Sequence, residues 1–242
     1  MAVSSYPFSR VERLAGESGL DRLRQARVIL FGVGGVGSWC AEALVRSGIG
    51  HLTIVDPDCV DVTNINRQLP ATSATVGHPK VEVLKERFLE INPLCDINAI
   101  QKRYEAGTPW GFDGFDIIID AIDSLKDKAA LILEASASPA AFFSSMGAAC
   151  KMDPTKVRVA DFFSVRGCPL GAALRKKLRR ENTLPAKPFL CVYDEEVLPN
   201  LGPEQDPGPG KAVANGTLAH ITGIFGFTLA GLAIEQILKD EE

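Results

Sequence analysis

The chain has 242 residues, 46% of them hydrophobic, and a formal net charge of −4. That is ample for one well-packed core with an appendage, and the acidic balance excludes recruitment of nucleic acid by overall charge while leaving room for a local basic patch. The six cysteines, Cys40, Cys59, Cys95, Cys150, Cys168 and Cys191, form no C-x-x-C pair, which disfavours a disulfide frame or a cysteine zinc site and points to reduced thiols in a cytoplasmic protein.

The first residues carry no basic stretch leading into an apolar run, so no secretory leader is expected. Arg27 to Phe31 is a short apolar run ending in a glycine cluster and reads as a buried strand. Residues 38–47 follow as a helix with Trp39, Ala43 and Leu44 facing inward, and His51 to Asp56 is a second strand. Pro79 opens a helix to about Glu90, with Val81, Leu84, Phe88 and Ile91 at helical spacing. Asp96 to Ile100 is a third strand, Phe115 to Ala121 a fourth, Leu125 to Ala137 a helix, and Phe142 to Ala148 strand-like. Strands alternating with helices imply a mostly parallel sheet with helices on both faces.

After residue 150 the alternation weakens. Val157 to Phe162 reads as a strand, and Pro169 opens a helix with Leu170, Leu174 and Leu178 on one face. The stretch Pro199 to Gly210 holds four prolines and three glycines in twelve residues, which excludes helix and central strand and marks a mobile loop, either a linker or a lid. A final helix spans about Thr217 to Lys239. Its apolar part, Leu218 to Ile234, is too short and too interrupted by His220, Thr222, Thr228 and glycines for a membrane span and reads as a core helix.

Gly32-Val-Gly-Gly-Val-Gly37-Ser38 lies between the first strand and the first helix, where glycines let backbone N–H groups approach phosphate oxygens and the helix N-terminus adds positive potential. Asp56 ends the second strand, where a carboxylate accepts both ribose hydroxyls. NAD and FAD enzymes share these two features. Arg67 and Lys80 separate the readings: a dinucleotide has one pyrophosphate, which the glycine loop satisfies, and two further cations suit the greater charge of a triphosphate. Taken singly, each is as readily a solvated surface charge. Asp120 and Asp123 end the fourth strand, at the carboxyl edge that lines the ligand crevice in such sheets. Asp123, beyond the apolar run, is the better Mg²⁺ candidate. Asp120 caps the following helix or binds through water.

Together these residues resemble the ubiquitin-activating-enzyme-like family (MoeB, ThiF, HesA). The matching strings are G-V-G-G-V-G-S, I-V-D-P-D, N-I-N-R-Q, V-G-H-P-K and D-A-I-D, in the family's order and spacing over roughly residues 8–150. The resemblance implies a single ThiF-like domain: an ATP-binding Rossmann-like part over 1–150 and a smaller α+β, substrate-facing extension over 151–242 with a flexible loop at 199–215. It implies ATP and Mg²⁺ as cofactors, with the nucleotide held by Gly32, Gly34, Gly35, Val36, Gly37, Asp56, Asp58, Asn64, Arg67, Gln68, Lys80, Asp120, Ala121 and Asp123, and the metal by Asp123. It also implies a homodimer in which an arginine near the N-terminus reaches the partner subunit's phosphates. Arg10 is the candidate and Arg13 the alternative.

MoeB and ThiF types usually carry two C-x-x-C pairs, which are absent here. Lys151 to Asp161, Pro169 to Arg180 and Cys191 to Glu196 resemble the TcdA/CsdL branch, which acts on threonylcarbamoyladenosine in tRNA. Cys150 departs from that branch, where glycine is common, and so does the short proline-glycine loop. The resemblance implies adenylation of the modified nucleoside's carboxylate followed by intramolecular ring closure, with Arg67, Lys80, Asp123 and Arg10 as the catalytic set. It makes Arg175, Lys176, Lys177, Arg179 and Arg180 a tRNA-facing surface, where the bland reading is a solvated helix face. It leaves room for an alkali-metal site, as in some relatives, and for a sulfur-relay partner, and it requires no catalytic cysteine, so Cys191 reads as a structural thiol. One rival within the family is adenylation of the C-terminal glycine of a ubiquitin-like sulfur carrier. An NAD- or FAD-dependent oxidoreductase leaves Arg67, Lys80 and Asp123 without work, and a non-catalytic scaffold is the third rival.

Overall fold

The computed structural model describes residues 6–202 and 215–239; most of the loop expected at 199–215 lies outside the described residues. Seven strands form one sheet: β1 (Arg27–Phe31), β2 (His51–Val55), β3 (Asp96–Ile100), β4 (Ile117–Asp120), β5 (Ala141–Ser145), β6 (Val157–Asp161) and β7 (Leu190–Asp194). Their order is β3-β2-β1-β4-β5-β7-β6. All neighbours are parallel except β6, which lies antiparallel to β7 at the edge. β1 and β4 are buried on both faces, as central parallel strands must be.

Alternate residues divide between two cores. Val28 and Leu30 of β1 face α2 (Gly37–Arg46), α3 (Lys80–Ile91) and α6 (Ala219–Leu238). Ile29 and Phe31 face α4 (Leu125–Ala137), α5 (Pro169–Arg180) and the aromatic segment around Tyr104 and Trp110. α6 is long and apolar enough to cross a membrane by length and composition. Its Ile221, Phe225, Leu229, Ala230 and Ala233 belong instead to the first core. Gly226 brings α6 close to the start of α2: a Cβ there would lie 2.5 Å from the Val36 carbonyl.

Several sequence expectations need correction. The inward face of α2 is Cys40, Ala41, Leu44 and Val45; Trp39 and Ala43 lie at its half-buried flank. β5 ends at Ser145 rather than Ala148. An amino-terminal helix, α1 (Ser9–Gln25), precedes the sheet and is broken at Gly16, whose φ of 75° is left-handed. β7 is a buried strand between β5 and β6 that periodicity did not reveal. β6, β7 and α6 complete the same sheet and core, so the C-terminal α+β part is continuous with the strands that precede residue 150.

Candidate functional site

The site lies at the carboxyl edge, where β1 and β4 run side by side with Phe31 opposite Asp120. The loop after β1 and the turn after β4 pack backbone against backbone. Gly32 has φ of 85°, and a Cβ on it would sit 2.7 Å from the Ala121 carbonyl. A Cβ on Gly37 would lie 1.8 Å from the Gly32 carbonyl. Both positions exclude side chains, and the loop reaches the N-terminus of α2 as a bare backbone surface fit for phosphate oxygens.

Asp56 follows β2 and is almost fully enclosed. One carboxylate oxygen accepts the Val33 amide at 2.8 Å and the other the Asp58 amide at 2.9 Å. Each oxygen keeps a further lone pair, so two vicinal hydroxyls remain acceptable partners. Burial pushes the Asp56 carboxyl above its ordinary range, against the opposing pull of Lys80 and of the two amides. Lys80, at the start of α3, is a buried cation, not a solvated one. Its ammonium lies 3.0 Å from Asp58 and 4.0 Å from Asp56.

Arg67 is half-buried against the glycine loop, its Cγ 3.5 Å from where a Cβ of Gly35 would be. Its guanidinium donates to the Thr63 carbonyl and to Asn66 Oδ1, each at 2.9 Å. Gln68 faces Gly34, and its buried Oε1 has no partner among the described residues, as fits a position completed by a bound molecule. Asn64 closes the local turn by accepting the Asp61 amide at 3.1 Å. Two contacts went unforeseen in the sequence. Trp39 Nε1 donates to the Arg67 carbonyl at 3.1 Å, and Asn66 Nδ2 to the Thr217 carbonyl at 2.9 Å, tying this loop to α2 and to the segment that leads into α6.

Asp120 and Asp123 part company. Asp123 is exposed and makes no hydrogen bond or ion pair among the described residues. Asp120 is fully enclosed and pairs with Lys128 at 2.8 Å, and the cap of α4 is not Asp120 but Ser124, which accepts the Asp127 amide. The described residues hold no group of three or more metal-ligating side chains. Asp123 suits an ion that takes most of its ligands from nucleotide phosphates and water, as Mg²⁺ does.

The outlying expectations divide similarly. Arg10 and Arg13 stand exposed on the first half of α1 with no partner among the described residues. On α5, Lys176, Arg179 and Arg180 are exposed. Arg175 does not belong to that exposed surface: it stacks over Phe162 at 5.9 Å and donates to the Phe162 carbonyl at 3.1 Å. Burial and then neighbouring Arg166 lower its pKa. Lys177 pairs with Glu181 at 2.5 Å. Cys191 is enclosed on β7, and burial pushes its thiol well above the usual range, which marks a structural thiol. Cys150 adopts a left-handed φ of 59°, a backbone conformation that glycine takes more easily.

The profile of the ThiF family matches residues 8–242. The tRNA threonylcarbamoyladenosine dehydratase of Bacillus subtilis is 37% identical over 98% of this chain and 96% of its own length. That of Haemophilus influenzae is 39% identical over 96% and 93%. The crystal structure of Escherichia coli tRNA N6-threonylcarbamoyladenosine dehydratase, TcdA, in complex with ATP superimposes with a TM-score of 0.82 at 34% identity, covering 96% of this chain and 93% of that one.

Asp56 generates a pH-dependent prediction. Its raised pKa means the folded chain protonates it more readily than the unfolded chain does. This group therefore adds stability as pH falls through the window just above the ordinary value of 3.8, while the ionised acceptor needed by ribose hydroxyls disappears there. The rise in Tm produced by a saturating adenosine nucleotide should shrink across that window. Asp56→Asn should weaken nucleotide binding at neutral pH by about 10- to 100-fold, the loss of hydrogen bonds to a charged group. Calorimetry at pH 7 showing unchanged affinity would remove Asp56 from the site.

Proposed function

The chain belongs to the ThiF family, and from that premise we propose that it is an ATP-dependent dehydratase of threonylcarbamoyladenosine in tRNA. The single observation that carries the reading is the free carboxylate of Asp123 beside a bare glycine loop and a buried Asp56–Lys80 pair on one edge of the sheet. Similarity to the dehydratases along nearly the whole chain supports the substrate.

A carboxylate oxygen of the modified nucleoside attacks the α-phosphorus of ATP and pyrophosphate leaves. A nitrogen of the same side chain then attacks the acyl carbon, AMP leaves with the electron pair, and a proton is released; the nucleoside has lost the elements of water. Asp56 holds the ribose. The glycine-loop amides, Arg67 and Lys80 face the phosphates and oppose the charge that builds on the leaving group. For Lys80 this requires exchanging its contact with Asp58 for a phosphate oxygen. Asp123 would hold Mg²⁺, which when bound neutralises phosphate charge and polarises the reacting centre. Ring closure is intramolecular, so proximity replaces a protein nucleophile, in keeping with the enclosure of Cys191.

Two features extend the reading to partners. The N-terminus of α5 abuts the carboxyl edge, where a Cβ on Gly147 would lie 3.6 Å from Leu170, and Lys176, Arg179 and Arg180 follow along the same helix. We take these cations as the surface that meets the phosphate backbone of the tRNA whose modified nucleoside sits at the edge. Arg10, exposed on α1, serves the nucleotide of a second subunit, so the enzyme works as a homodimer. In such a dimer Ile221, Phe225 and Leu229 stay within their own subunit's core, and Phe227 is the exposed apolar residue α6 offers to a neighbour.

Pyrophosphate release should require tRNA bearing threonylcarbamoyladenosine and be absent with unmodified tRNA. Asp123→Ala and Arg10→Ala should each abolish it without unfolding the chain. Mixing the two variants should restore activity, because one site of each mixed dimer receives both intact residues. Activity of Asp123→Ala near wild type would remove that residue from the mechanism. Proven subunit exchange without recovery would refute the shared site.

Reversing Lys176, Arg179 and Arg180 to Glu should weaken tRNA binding and flatten its dependence on salt, by roughly one logarithmic slope unit for each phosphate no longer neutralised. ATP affinity should stay unchanged. Unaltered tRNA affinity would make the face an ordinary solvated surface.

A further inference from the structure

Lys128 is fully enclosed in α4 on the helix face that carries Leu131, Ile132 and Ala135. Its ammonium lies 2.8 Å from Asp120 and donates to the Ile122 carbonyl at 2.9 Å. Asp120 Oδ2 also accepts the Ser144 hydroxyl at 2.7 Å, and Asp120 Oδ1 accepts the Ile122 amide at 3.0 Å. The Ala121 amide donates to the Phe31 carbonyl at 2.8 Å. The peptide groups on both sides of Ile122 are thus held from beneath, and the next residue is Asp123.

A buried ion pair is a poor source of stability, because desolvating two charges offsets their attraction. An apolar side chain at position 128 would continue the face with no charge to bury. What the pair does supply is direction: it fixes the turn that presents Asp123 and backs Gly32, whose Cβ would lie 3.1 Å from the Ile122 nitrogen. We propose that Lys128 is a positioning residue that, through Asp120 and the Ile122 carbonyl, sets the Asp123 turn against the glycine loop. The proposal rests on the adenylation reading for its consequence in turnover but not for its consequence in the turn itself.

The test is the double variant Asp120→Asn/Lys128→Met, which removes both charges and leaves no buried ion unpaired. Its melting temperature should stay near that of the wild type, while hydrogen–deuterium exchange should accelerate over residues 121–126 and not over the rest of the sheet. ATP affinity without Mg²⁺ should match the wild type, the gain in affinity on adding Mg²⁺ should shrink, and AMP formation should fall about 100-fold, as for a reacting group displaced by an ångström. If the double variant does not fold, Ser144→Ala, which removes only the hydroxyl steadying Asp120, should show the same changes in weaker form. Wild-type exchange in the turn and a wild-type Mg²⁺ effect in the folded variant, or in Ser144→Ala, would overturn the proposal. Absence of AMP formation in the wild type itself, with the exchange result as expected, would instead count against the adenylation reading.

Discussion

The site depends on one close contact between two backbones. Parallel pairing of β1 with β4 delivers Gly32 and Ala121 to the same place at the carboxyl edge, and no side chain fits between them. The glycine loop and the Asp123 turn, proposed here to meet phosphate and a cation, are therefore two sides of one seam. From that seam the other parts take their places: Asp56 grips the Val33 amide from the end of β2, and α6 closes on the start of α2 through Gly226.

Around the seam the fold buries charge that a merely stable protein would leave outside. Asp56, Lys80, Asp120 and Lys128 are all enclosed, and all lie at the carboxyl ends of strands or on the helices that follow. Each is paired or hydrogen-bonded, as burial demands. The pairs differ in use. Asp120 and Lys128 are sealed from solvent and act on the backbone. Asp56 and Lys80 meet the exposed Asp58 and can exchange their contacts for those of a ligand.

Much of this was legible in the sequence because it rests on local signals. Arg27–Phe31, Asp96–Ile100 and Leu125–Ala137 were bounded correctly by apolar runs and flanking punctuation. Leu190–Asp194 was not, since five residues beside a proline-containing stretch carry too little periodicity, and only pairing with distant β5 makes them a strand. The motifs placed Asp56, Lys80 and Asp123 at the edge, but spacing says nothing of which way a side chain turns. That is why Asp120 read as a cap of α4 when its carboxylate points inward, and why Arg175 read as one of five equal cations when it packs on Phe162. Lys128 did leave a trace, a single cation on the apolar face of α4.

In the proposed reaction the substrate carboxylate, not water and not a protein thiol, attacks the α-phosphorus. The direct measurement starts from tRNA whose threonylcarbamoyladenosine carboxylate carries heavy oxygen and follows the label through one turnover by mass spectrometry of the products. One labelled oxygen should appear in AMP, with unlabelled pyrophosphate. Label in inorganic phosphate together with ADP, or unlabelled AMP, would contradict it.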